Sequence, residues 1–160
     1  MKFAEKDISY YWPIIKLPFW ALLIWNVAAM VVAWVSFDLF QSIFSQWASL
    51  LIGVAAFGFA GYTAVKDHKG GIRHAAWSGA LLGVAIGLVG AVIYIVMLAF
   101  VPQIIDLAMA QVPPEAGMGR DQLATMMQMM SYIQLITGPL FNALIGALLG
   151  AVSGFVAKKV

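Results

Sequence analysis

The stretch that decides the fold is Trp77–Val101, WSGALLGVAIGLVGAVIYIVMLAFV. It carries no charged residue. At about 1.5 Å of rise per helical residue it is longer than the roughly 20 residues that cross a bilayer. Gly79, Gly83 and Gly87 recur every four residues and share one helix face, and Gly90 prolongs the row at a spacing of three. Rows of small residues let helix backbones approach closely, a main source of helix association in lipid. The last apolar run answers with Gly146, Gly150 and Gly154 at the same spacing of four. These two runs predict the packed centre of an all-α, integral membrane four-helix bundle.

Composition agrees with that reading. Of 160 residues, 63% are hydrophobic and only 10% are charged, against about half and a quarter in soluble domains. The net charge of +2 and the scatter of the basic residues argue against nucleic-acid binding. With no cysteine there is no disulfide framework, no thiolate metal site and no S-acylation site. Glu5 and Asp7 fall where a secretory signal would be basic, and no small-residue cleavage motif comes after them, so a cleavable signal is not expected.

Working outward, Tyr10, Tyr11 and Trp12 are amphipathic rings suited to headgroup depth, and Lys16 can snorkel there. Pro13 and Pro18 suggest that residues 1–18 form a short interfacial segment before a first span, about 19–37. That span is rich in Trp and has no glycine, which suits a lipid-facing helix. Residues 36–46 read as an amphipathic turn. A second span, about 47–65, places Gly53, Phe57 and Gly61 on one face. Lys66–His74 reads as a tight basic loop turned by Gly70 and Gly71. The third span covers 77–101. Residues 103–136 then form an extracytoplasmic helical insert: a short helix over 103–112, a stop at Pro113-Pro114, and an amphipathic helix over 120–136 lying on the membrane or capping the bundle. Gly138-Pro139 should break or kink that helix before the fourth span, 139–157.

Four spans put Lys2, Lys6, Lys16, Lys66, Lys69, Arg73, Lys158 and Lys159 on one side and Arg120 alone on the other. The positive-inside rule then places both termini in the cytoplasm of what we read as a prokaryotic plasma membrane. The two halves share a topology, but their sequences do not match, so a transporter-type repeat is not read from them.

Candidate sites are few. Gly53, Gly61, Gly79, Gly83, Gly87, Gly146, Gly150 and Gly154 are the helix-packing residues, within the chain first and between copies second. Asn26 and Asn142 are the polar residues placed in apolar spans, and an interhelical hydrogen bond is their default role. No span has Asp, Glu, Lys, Arg or His at its middle, which removes the usual mark of a proton or ion path. Met109, Met118, Met126, Met127, Met129 and Met130 have the soft sulfur that suits Cu(I). No Cys or His accompanies them, and an apolar helix face is the preferred reading. His68 and His74 are read as solvated loop residues rather than ligands. Asp106, Glu115 and Asp121 are scattered, and there is no nucleophile–base–orienter set, so neither an enzyme nor a cofactor is expected.

The second half carries a resemblance. It runs through the Lys69-Gly70-Gly71 loop, Val101-Pro102-Gln103, the short helix Ile104–Gln111, Gly117-Met118-Gly119-Arg120-Asp121-Gln122, Met126-Met127-Gln128-Met129-Met130 and the closing Lys158-Lys159. This layout resembles a family of small four-span bacterial membrane proteins known only as a domain of unknown function. Those proteins have a similar Gly-Met-Ser-Glu-Gln helix start and a Met-rich helix between spans three and four. The resemblance covers residues 66–159. It implies four spans with a periplasmic or lumenal helical insert, and no activity or site residue.

The sequence therefore predicts a non-enzymatic accessory or scaffold subunit. Its partners would be the lipid bilayer and other membrane subunits or itself. The alternative is an oligomeric channel or a small-solute or metal transporter, with Asn26 and Asn142 lining a narrow path.

Overall fold

The computed structural model describes residues 2–113 and 117–160. Pro114 and Glu115, expected from the sequence to be a helix stop and an outer acid, lie outside the described residues. Among the described residues, the regular structure is helical apart from a hairpin of two-residue strands, β1 (Lys2–Phe3) and β2 (Lys6–Asp7), paired antiparallel. Ala4 and Glu5 turn it with φ of 48° and 72°, the positive pair that tight hairpins need. Six helices come after it: α1 (Ile8–Val35), α2 (Phe37–Ile43), α3 (Gln46–Lys66), α4 (Ile72–Phe100), α5 (Gln103–Met109) and α6 (Arg120–Lys159). Of these, α1, α3, α4 and α6 are long and apolar enough to cross a membrane, the property that defines an integral membrane protein.

Several boundaries differ from the sequence reading, each for a visible reason. The interfacial segment and the first span are one helix, with Pro13 and Pro18 inside α1. The carbonyls those prolines leave unbonded are outweighed by packing, since Tyr11, Ile14, Ile15, Pro18 and Leu22 are all buried along this stretch. Tyr11 is 0% exposed. It is therefore a core residue, not a headgroup ring, whereas Trp12 is exposed. The amphipathic turn contains the short helix α2, capped by Ser36 Oγ, which accepts from Leu39 N–H.

The separate surface helix over 120–136 is the first part of α6, which runs unbroken through Gly138 and Pro139. Pro139 is buried against α4 at Gly87, where a side chain would strike Pro139 Cα. That contact holds the helix together where sequence alone predicts a stop. At about 1.5 Å per residue, the 40 residues of α6 reach roughly 60 Å, about twice the hydrocarbon thickness.

The basic turn also differs. Lys69 adopts the left-handed conformation at φ 50°. Gly70 is needed for space, because a Cβ there would meet Ala64 O and Tyr10 Oη. The turn is tied by Gly70 N–H to Ala64 O at 2.8 Å and by Tyr10 Oη, which donates to His68 O at 3.2 Å. Its two histidines are half-buried rather than solvated. His74 lies in the first turn of α4, and its Nδ1 accepts from Gly71 N–H at 3.1 Å. The His74 ring stacks near Tyr11, 6.4 Å between centroids. Gln122 caps α6 in the same way, its Oε1 accepting from Gly119 N–H. At the far end Arg120 and Asp106 form an exposed ion pair at 2.8 Å.

The core is built on α4 and α6, which run antiparallel. Gly79 lies against Gly146, Gly83 against the backbone of Asn142, Gly87 against Pro139, and Ala75 against Gly150. Each step of four along one helix meets a step of four back along the other. Gly61 of α3 also faces Gly150, and Gly154 faces Ala75 and Val65. Gly150 is therefore the junction of three helices. At Gly61, Gly79, Gly83, Gly87, Gly146 and Gly150 the facing atoms are backbone, so a Cβ at any of these six does not fit without movement. The α1 helix packs on α3 and α4, contributing Tyr11, Ile14, Ile15 and Leu22 to the main core.

Candidate functional site

Two glycines inside the long helices α3 and α4 stay out of this packing. A Cβ at Gly53 or at Gly90 would meet nothing within 4 Å. Gly53, expected from the sequence to be a packing residue, instead borders a cleft among α1, α2, α3, α4 and α6. One lobe of the cleft, about 350 Å³, has an aromatic wall of Trp25, Phe40, Phe44, Phe57 and Tyr94. A second lobe, about 520 Å³, lies along α4 and α6 beside Gln134, Thr137 and Phe141. Asn26, Ile86, Gly90 and Asn142 border both lobes. The volumes fall within the range of about 300–1,000 Å³ usual for small-molecule sites.

Depth is set by the helices. Ile86 is the middle residue of α4 (72–100), and Gly53 and Phe57 flank the middle of α3 (46–66). Asn142 is close to the centre of α6 (120–159). The lobes thus meet about halfway along the spans, and the first lobe continues toward α2.

The structure brings the two asparagines onto one cleft without bonding them to each other. Asn26 Nδ2 donates to Leu22 O at 2.8 Å and Asn142 Nδ2 donates to Gly138 O at 2.9 Å. Each amide spends one N–H on its own helix. Each keeps a second N–H and both lone pairs of Oδ1, and among the described residues these make no hydrogen bond. Trp25 Nε1 donates to Ser49 Oγ at 3.4 Å, tying α1 to α3 at the rim. The Trp25 ring lies 4.5 Å from Phe44, centroid to centroid. Among the described residues, no Asp, Glu, Lys, Arg or His borders either lobe.

The arrangement can hold an uncharged group by hydrogen bonding at mid-depth and an apolar group against the rings. It offers no nucleophile–base pair. Among the described residues, no group of His, Asp and Glu is placed to hold a metal ion. Met118, Met126 and Met129 border a shallow depression on the first turns of α6, with Asp121, Gln122 and Thr125. Gln134 and Thr137 are absent from the sequence reading of the site because Gly138-Pro139 assigns them to an outer helix. Gly90 carried a signal, its spacing of three where the other row members are four apart.

Compared with protein-family profiles, curated proteins and solved structures, the chain matches none. What defines its class is therefore its own fold, a small helical protein with four helices able to span a membrane.

Proposed function

We propose that the protein is a non-enzymatic integral membrane protein that receives an uncharged guest in the cleft at mid-span. The observation that carries this is the meeting of both lobes at Asn26, Asn142 and Gly90, whose free amide groups and open Cβ position serve no packing role. Both asparagines are half-buried; an amide left without partners in hydrocarbon is costly, and a guest that completes it offsets that cost. Part of the proposal is orientation. The hairpin, the 66–74 turn and the C-terminus face the cytoplasm, on the strength of the basic residues clustered there.

A second reading is an accessory or scaffold subunit within a larger membrane assembly. It is favoured by the bare outer face. Trp34 and Trp47 are 72% and 76% exposed, while the glycine rows are already occupied within the chain. One experiment separates the two. Native mass spectrometry of protein gently extracted from its own membrane should show a small retained mass on the wild type, absent from Gly90→Leu. Reproducible companion chains with no small guest would favour the subunit. A bare, guest-free monomer would defeat both readings.

A further inference from the structure

The chemistry of the cleft restricts its guest. We infer that the cleft binds a neutral lipid with a free hydroxyl head, of the diacylglycerol kind, entering sideways from the bilayer; this rests on the cleft being a guest site at all. Charge makes the first selection. With no Asp, Glu, Lys, Arg or His among the described residues bordering either lobe, a phosphate, carboxylate or ammonium group would be desolvated without a counter-charge.

Hydrogen bonding makes the second. Asn26 and Asn142 border the same space, and each has an Oδ1 acceptor and one N–H donor left over from its bond within its own helix. Ser49 Oγ accepts from Trp25, so its O–H remains a donor. A hydroxyl both donates and accepts, and it matches this mixed set where a bare carbonyl or an alkane does not. A hydroxyl carried to mid-membrane otherwise finds no partner in the hydrocarbon. The asparagine pair therefore recognises it where the alternative is worst.

The apolar remainder makes the third. Phe44, Phe57, Tyr94 and Trp25 wall one lobe; in the other, Ile86, Gly87, Gly90, Ala91 and Phe141 give apolar surface along α4 and α6, with Gln134 and Thr137 as further polar residues and the Thr137 hydroxyl already donating to Ile133 O. A flexible acyl or glyceryl chain fits such a cleft better than a rigid polar solute. Gly90 borders both lobes. A Cβ there would meet nothing within 4 Å, so a leucine should start without a clash and extend into the cleft, obstructing it.

The test uses the full chain in phosphatidylcholine nanodiscs, with trace diacylglycerol bearing a diazirine on one acyl chain. On illumination, labelling should fall on peptides of α1, α4 and α6 that border the cleft, and unlabelled diacylglycerol should suppress it. Gly90→Leu should reduce labelling by at least about tenfold, and Asn26→Val with Asn142→Val by about three- to tenfold. Thermal midpoints of the variants, read alongside, must stay near wild type for the comparison to count; should Gly90→Leu fail to fold, Gly90→Ala gives the graded reading. If an acyl-chain analogue lacking the hydroxyl competes equally well, or if labelling ignores all these substitutions, the hydroxyl-lipid assignment is overturned. If free glycerol competes and the lipid does not, the lipid class fails while the uncharged-guest reading stands. If neither competes and native mass spectrometry finds no guest, both fail.

Discussion

A methyl group added at Gly87 would strike Pro139 Cα, whereas one added at Gly90, less than a turn further on, would meet nothing within 4 Å. Composition treats these residues alike, but their consequences have opposite signs. Alanine is the better helix former by about 0.8–1 kcal/mol, so Gly90→Ala should raise the thermal midpoint of the purified protein. Gly87→Ala forces α4 from α6, and overpacking of this kind typically costs about 1–3 kcal/mol. A scanning-calorimetry comparison that gave both variants the same sign would show that α4 and α6 are not in backbone contact at Gly87. Lys69 also carries a backbone cost. Its φ of 50° is a conformation that glycine adopts without strain, so Lys69→Gly should stabilise by about 0.5–1 kcal/mol. Urea titration at fixed lipid composition would register this, and a loss of stability would mean that the Lys69 side chain makes a contact outweighing its backbone strain.

At the scale of elements, α6 spans more than the bilayer needs. It lies along α4 and α3, and its first turns also stand beside α5. The Arg120–Asp106 ion pair joins α5 to α6, but both side chains are about half exposed, at 49% and 58%. Exposed pairs contribute little. Asp106→Asn should therefore leave the thermal midpoint unchanged at physiological salt, and a clear drop would make this contact a structural clamp. What holds the N-terminal half of α6 is packing instead. Leu123 and Ser131 are buried there, and Ser131 Oγ is satisfied by Gln128 O at 2.7 Å. A sequence reading that stops a helix at Gly-Pro uses local rules alone. Here Pro139 sits against Gly87, and the partner helix supplies what the missing backbone hydrogen bond does not.

For the whole molecule, orientation can be measured directly because the chain has no cysteine. Single substitutions give a clean background for a membrane-impermeant thiol reagent. In intact cells, cysteines at Ser42 and Gln111 should label, and those at Arg73 and Lys158 should label only after the membrane is opened; all four native positions are exposed. The reverse pattern would invert the topology and move the α2 side of the cleft to the cytoplasm.

Sequence by itself determined the four apolar segments, the hydrophobic excess, the charge asymmetry and the pairing potential of the two glycine rows. All of these come from local composition and a helical period of 3.6. It also singled out Asn26 and Asn142, because an amide in an apolar run is conspicuous wherever the run packs. Only the tertiary structure decided that Pro13, Pro18 and Pro139 lie inside continuous helices, that His74 and Tyr11 pack together, and that Gly53 and Gly90 border space. It alone brought Asn26 of α1 and Asn142 of α6 to one cleft. Spacing along a helix fixes which residues share a face. Which faces meet, and where they leave a gap, depends on how distant segments pack against each other.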